Sequence, residues 1–291
     1  MSVFRGKGRL VYSVMVLLLV GISLGFALHM PGRDMTRDVS IMTCNIGDVA
    51  GGTPLGSEQV VMYLRSLGVP DLLLLQEVRG EKEAAFFSER LARPYFSFLA
   101  YGGKEDFGIA ILSAFPLDKY HGIYFENSSK GAGGLAVEAI IDQVSLLVVN
   151  LHLDRFDPLE LADNTVPINM EALLKFLRKE LIEESIRSRS IRELLKWLDN
   201  KNPAHVVLGG DFNTIPFSKA TRLISPWLDD VLWPSLDYFK GTYTKLDFPI
   251  FPRIDFLFVS TNIVRKNARI IQKSPGDHYP IWAVIQVPAG G

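Results

Sequence analysis

The chain has 291 residues, 48% of them apolar and 22% charged, with a formal net charge of −1. That length carries one large domain or two small ones, and the apolar content excludes a disordered or fibrous chain. The charge supplies no bulk attraction to polyanions, so nucleic acid is neither demanded nor excluded, and the single cysteine, Cys44, rules out an internal disulfide or a cysteine-rich zinc cluster.

Residues 1–9 are basic, with Arg5, Lys7 and Arg9, and residues 10–28 (LVYSVMVLLLVGISLGFAL) carry no charge. A helix of about 20 such residues spans a hydrocarbon core, and the preceding positive charges predict a cytoplasmic N-terminus. The expected localisation is therefore membrane-anchored, with the remainder on the exoplasmic or periplasmic side. The competing reading is a signal peptide cut after Ala27, which would give a secreted protein. Residues 29–38 form a linker, and 39–291 form the main domain.

Within that domain the pattern alternates strands and helices. VSIMTCNI (39–46) predicts a strand, the Gly-rich stretch 47–57 a loop, and SEQVVMYLRSL a helix. PDLLLLQEV (70–78) predicts a buried strand and EKEAAFFSERLA a helix. FGIAILSAF, GLAVEAIID and VSLLVVNLHL predict successive strands, whose adjacency suggests antiparallel pairing. One long helical stretch is expected over residues 168–199, followed by strands AHVVLGGDF, RIDFLFVS and HYPIWAVIQV. The fold class this implies is α/β: a four-layer sandwich of two mixed β-sheets flanked by helices, preceded by an N-terminal transmembrane segment.

Polar residues repeatedly follow the apolar runs: Asn45 after VSIMTC, Gln76 and Glu77 after DLLLL, Asn150 and His152 after LLVV, Asp211 and Asn213 after VVLGG. One such ending is an ordinary strand cap or turn. Several together suggest that strand ends converge on a site, because buried polar groups require partners.

Asn45, QE at 76–77, NLHLD at 150–154, GGDFN at 209–213, RIDFLF at 253–258 and GDHYP at 276–280 occur in the order found in the endonuclease/exonuclease/phosphatase superfamily. The chain resembles that superfamily, with its DNase I-like fold, over residues 39–287. The resemblance implies a divalent-metal-dependent phosphoesterase using Mg²⁺, with Mn²⁺ and Ca²⁺ as alternatives. It implies metal ligation by Glu77, Asn45 and Asp277, with Gln76 and Asn150 in support. His278 becomes the general base, oriented by Asp255. Asp211 and Asn213 position the nucleophile and phosphoryl group, and His152 donates to a phosphoryl oxygen. Those roles satisfy the need to stabilise charge, activate water and assist a leaving oxygen.

Plainer readings stand beside these. His152 fits a core histidine, Arg253 fits a pair with a structural carboxylate, and GAGG (131–134) fits a turn; residues 47–56 lack the order of a P-loop. Arg79, Lys82, Lys104, Lys130 and Arg155 are scattered among acids, which weakens a duplex-DNA reading. An R-x-x-Q pattern common in bacterial members is represented only by Arg187 and Ser190, and Gly276 stands where Ser is usual before Asp-His. WLDDVLWPSLDYF (227–239) and LDFPIFP (246–252) read as core in preference to lipid-contacting loops. The expected substrate is a phosphate ester of nucleic acid or a phospholipid head group. The alternative from another class is a non-catalytic envelope module binding a phosphorylated partner.

Overall fold

A computed structural model describes residues 36–47, 56–101, 107–126, 128, 132–155, 170–244 and 252–288. The apolar run 10–28, the basic residues before it, most of the linker, most of the Gly-rich loop, Lys104, Lys130 and most of LDFPIFP lie outside the described residues. Among the described residues no helix is long and apolar enough to cross a membrane.

In the compact unit Arg37–Gly290 the strands are β1 (Thr36–Asn45), β2 (Leu72–Val78), β3 (Tyr95–Ala100), β4 (Gly108–Ser113), β5 (Leu117–Ile123), β6 (Gly133–Ile141), β7 (Val144–His152), β8 (Val206–Asp211), β9 (Leu228–Asp230), β10 (Asp255–Ser260), β11 (Val264–Ile270) and β12 (Ile281–Pro288). The helices are α1 (Ser57–Leu67), α2 (Gly80–Arg90), α3 (Met170–Leu181), α4 (Ile186–Lys201) and α5 (Lys219–Ile224), with a 3₁₀ turn at Leu236–Phe239. They build two six-stranded sheets, ordered β11-β12-β1-β2-β4-β3 and β5-β6-β7-β8-β10-β9. Parallel β1–β2 and β7–β8 pairs among antiparallel ones make both sheets mixed.

Side-chain alternation explains why these strands read as continuous apolar runs. In β2, Leu72 and Leu74 enter the core between the sheets with Ile41, Ile109, Leu135, Val148, Val207 and Leu257. Leu73 and Leu75 point the other way, onto Val60, Leu64, Ala84 and Phe87 of α1 and α2. The second sheet repeats the scheme, with Val149, Leu208, Phe256 and Phe258 packed outward on Ile191, Leu194 and Leu198 of α4 and Ile224 of α5. The expected order of helix, sheet, sheet, helix is the order observed.

Three local expectations are corrected. The helical stretch 168–199 divides into α3 and α4, because Ser185 adopts an extended conformation and its hydroxyl accepts from the Ser188 N–H, starting a new helix. The strands FGIAILSAF and GLAVEAIID do not pair with each other: β4 lies in the first sheet and β6 in the second, where its antiparallel partners are β5 and β7. Strands β3, β5 and β11 and the three-residue β9 were not expected. β5 (LDKYHGI) and β11 (VRKNARI) are edge strands with mostly exposed side chains, so no apolar alternation marks them.

Candidate active site

Register places the polar strand endings at one end of the sandwich. Asn45 lies opposite Gln76 across parallel β1 and β2, and His152 lies opposite Asp211 across parallel β7 and β8. Antiparallel β10 sets its first residue, Asp255, opposite Asp211. A bridge between Tyr243 and His278 brings in the segment preceding β12.

Alternation alone would send Glu77 outward, onto α1 and α2. Instead β2 bulges between Gln76 and Val78, and Glu77 takes a left-handed φ of 60°. The bulge hands the outward position to Val78 and re-aims the carboxylate at the strand ends, a costly backbone state for a non-glycine residue. Asn213 is likewise left-handed, with φ 49°, and its N–H donates to Asp211 Oδ1 at 2.9 Å. Its side-chain amide donates to the Leu153 carbonyl at 3.1 Å, tying the loop after β8 to the loop after β7.

Asp211 Oδ2 is the junction of the site. Asn45 Nδ2 donates to it at 3.1 Å and also to Glu77 Oε1 at 3.1 Å. The Nε2 atoms of His152 and His278 lie 3.6 Å and 3.8 Å from the same Asp211 oxygen. His152 Nε2 is also 3.9 Å from Glu77 Oε1. His278 Nδ1 meets Asp255 Oδ2 at 2.9 Å, while the Asp255 backbone N–H is held by the Thr242 hydroxyl at 3.1 Å.

Burial and charge set the titration of this cluster. Asp211 is pushed up to about 6, first by burial and then by Asp255, with the two histidines opposing. Burial disfavours the His278 imidazolium, but Asp255, Asp211 and Asp277 outweigh it and push the pKa up to about 10. The Tyr101 phenol is held well above its usual range, first by burial and then by the Glu77 charge, so it remains an O–H donor.

Gln76 and Asn150 lie beneath this cluster, fully buried between the sheets. Gln76 Nε2 donates to Asn150 Oδ1 at 2.7 Å and to Thr43 Oγ1 at 3.1 Å, and Asn150 Nδ2 donates to the carbonyls of Leu75 and Ala110. They brace one sheet against the other directly behind Glu77. Asp277 is buried beside His278, and its carbonyl accepts from the Thr244 N–H at 2.8 Å.

The chemistry of these groups fits a hard divalent cation. Glu77 and Asn45 offer oxygen, and a Cβ built on Gly47 would fall 2.0 Å from Glu77 Oε2, so this cradle exists only because residue 47 is glycine. Ligand atoms of Asp211, Asp255 and His278 also lie within 4.8 Å of one another, a second set of residues suited to a cation.

Of the plainer readings, Arg253 does pair with a structural carboxylate, Asp230, and is stacked against Tyr238 and Phe256. His152 is buried, but its partner is a tyrosine hydroxyl, with Tyr101 Oη 2.6 Å from Nδ1. Segment 227–239 is divided: Leu228, Val231, Leu232 and Tyr238 are core, whereas Trp227, Trp233, Leu236 and Phe239 are exposed. Arg187 sits in a buried network, with Nη2 on Glu180 Oε1 at 2.6 Å and Nη1 on the Asp154 and Arg155 carbonyls at 3.1 Å and 3.3 Å. Glu180 in turn accepts from Thr214 Oγ1 at 2.6 Å, so this pair fastens the loops bearing HLD and GDFN to α3 and α4. Ser190, in the place of the missing Gln, donates to the Ile186 carbonyl of its own helix at 3.1 Å. Sequence reasoning missed Tyr101 and Thr242; Tyr101 is a lone polar residue after an apolar run and Thr242 lies in the polar stretch KGTYTK, with no motif to mark either.

The sequence model described as "Endonuclease/Exonuclease/phosphatase family" matches residues 42–278. No protein with a curated description matches the chain. Among solved structures, a D. rerio TDP2 humanized by 14 mutations is 14% identical, with 86% of this chain and 99% of that one covered and a TM-score of 0.62. An endonuclease/exonuclease/phosphatase family protein from Bacteroides thetaiotaomicron is 15% identical, covering 87% and 98%, with a TM-score of 0.62. A mannosyl-6-phosphatase of the same organism is 16% identical, covering 86% and 99%, with a TM-score of 0.61. With the family model matched from β1 to His278, the chain belongs to the endonuclease/exonuclease/phosphatase family and is a phosphoester hydrolase.

Proposed function

We propose that this protein is a membrane-tethered, divalent-metal-dependent phosphodiester hydrolase whose ion is Mg²⁺ and whose substrate is a nucleic acid or a phospholipid head group. The observation that carries the reading is the convergence of Asn45, His152 and His278 on the single carboxylate of Asp211, with Glu77 joined to it through the shared Asn45 amide. The tether rests on the uncharged apolar run at 10–28 and the basic residues before it. Catalysis of this type consists mainly of placing charge and activating water.

Glu77 and Asn45 would hold the cation, with Asp277 as a further ligand, and the chemistry it would supply is neutralisation of phosphoryl charge and a lower pKa for water. Asp255 accepts the Nδ1–H of His278 and thereby turns the lone pair of Nε2 toward the site, where it takes a proton from the attacking water. Asp211 and Asn213 orient that water and the phosphoryl group. His152 donates to a phosphoryl oxygen.

The likeness to known structures supports the class of bond and no single substrate. One similar structure is a D. rerio TDP2 with a single-strand DNA product and another is a mannosyl-6-phosphatase. The test is hydrolysis by the purified full-length chain with Mg²⁺ of plasmid DNA, single-stranded DNA, RNA, sphingomyelin and phosphoinositides, with Glu77→Gln and His278→Ala as controls. Cleavage lost in both variants and on chelation supports the reading. Binding of phosphorylated ligands without turnover would replace it with that of a non-catalytic module.

A further inference from the structure

The two histidines of the site face Asp211 with the same atom, Nε2, yet their other ring nitrogens meet opposite kinds of group. His278 Nδ1 lies 2.9 Å from a carboxylate oxygen of Asp255, which can only accept when ionised. Its proton is therefore on Nδ1, and the neutral ring presents a lone pair at Nε2.

His152 Nδ1 lies 2.6 Å from the Tyr101 hydroxyl, and the two rings are 5.3 Å apart. That hydroxyl already accepts from the Glu77 N–H at 3.4 Å. Tyr101 is buried, and among the described residues its hydroxyl has these two hydrogen-bond partners, so its own hydrogen has one acceptor to go to. That acceptor is His152 Nδ1. A ring accepting at Nδ1 carries its proton at Nε2, the atom directed at Asp211 and Glu77.

We propose that Tyr101 is a positioning residue that fixes His152 as the Nε2–H tautomer, so that the site holds one histidine wired to donate and one wired to accept. This inference rests on the hydrolase reading and assigns a device within it. Tyr101 follows β3, an edge strand, and its own N–H pairs with the Phe107 carbonyl at 2.9 Å, which anchors the phenol independently of the histidine. A tyrosine serves here where a carboxylate would not, because an ionised carboxylate would draw the proton to Nδ1 and leave Nε2 unable to donate.

The experiment is long-range proton–nitrogen NMR of the ¹⁵N-histidine-labelled full-length chain with Mg²⁺, the His152 signals being assigned with His152→Gln. The expected spectrum has an unprotonated Nδ1 and a protonated Nε2 for His152, whereas His278 keeps its Nδ1 proton throughout and loses its Nε2 proton only above its own midpoint. Tyr101→Phe keeps the ring, and is expected to shift His152 toward the Nδ1–H tautomer while leaving His278 unchanged. With bis(p-nitrophenyl) phosphate as probe, Tyr101→Phe should lower kcat by roughly 10- to 100-fold with KM changed less than about 3-fold. In the His152→Gln background it should add little, because the two residues act through one hydrogen bond. A proton on His152 Nδ1 in the unaltered chain would overturn the inference, as would additive losses or an unchanged kcat in Tyr101→Phe. The spectrum of the unaltered chain decides the tautomer without turnover, so a chain that hydrolyses no phosphodiester refutes the hydrolase reading separately.

Discussion

Asn45 and Asp211 belong to different sheets and stand 166 residues apart, yet the Asn45 amide donates to Asp211 Oδ2 at 3.1 Å. The same amide reaches Glu77 Oε1, so one neutral side chain holds two carboxylates side by side. Burial has already pushed Asp211 up to about 6, which means its ionised form is maintained against a desolvation cost.

Asp211→Asn should therefore separate stability from function. The amide removes the buried charge, so the melting temperature is expected to be unchanged or higher, while kcat falls by about 10²- to 10³-fold. Paired thermal melts and steady-state kinetics on a chromogenic phosphodiester check this.

His278 makes stability depend on pH in the metal-free protein. Burial opposes its charge, but the surrounding carboxylates raise its folded pKa to about 10 from an ordinary value near 6.5. A raised folded pKa stabilises fully below the unfolded value, and that contribution is lost as pH rises through about 10. The melting temperature of His278→Gln should lie below that of the parent at pH 6, with the gap closing above pH 10. Added Mg²⁺ should lower the His278 midpoint in an NMR titration, because a nearby cation disfavours imidazolium.

Arg187 and Glu180 are both buried, and removing either strands its partner. Arg187→Ala should destabilise by about 3–5 kcal/mol in urea unfolding. Arg187→Lys should recover only part of this, since one ammonium cannot span both Glu180 oxygens and the carbonyls of Asp154 and Arg155. Because Thr214 and the HLD loop hang from this pair, folded variants should also lose kcat.

Gly210 has φ +141°, and a Cβ there would lie 1.9 Å from the Leu151 carbonyl oxygen. Gly210→Ala is expected to cost about 3 kcal/mol or more, from strain and from the separation of β7 and β8. Chemical denaturation of the purified variant measures it.

The sequence by itself determined the sheets' central strands and the order of the motifs. Buried strands such as β2 must be apolar on both faces, and polar residues at their ends stand out against that background. The same logic hid β5 and β11, whose exposed edge positions carry no apolar pattern, and it ran α3 and α4 together, because the Ser185 cap is one small residue in a charged stretch. Only the tertiary structure decided how the site is wired. The bulge that re-aims Glu77, the meeting of Asn45 with Asp211, and the Tyr101 hydroxyl on His152 all depend on backbone conformation and on contacts between segments distant in the chain. Side-chain identity records which groups are available; which nitrogen carries a proton is set by what lies within three ångströms of it, and strand pairing supplies that neighbour.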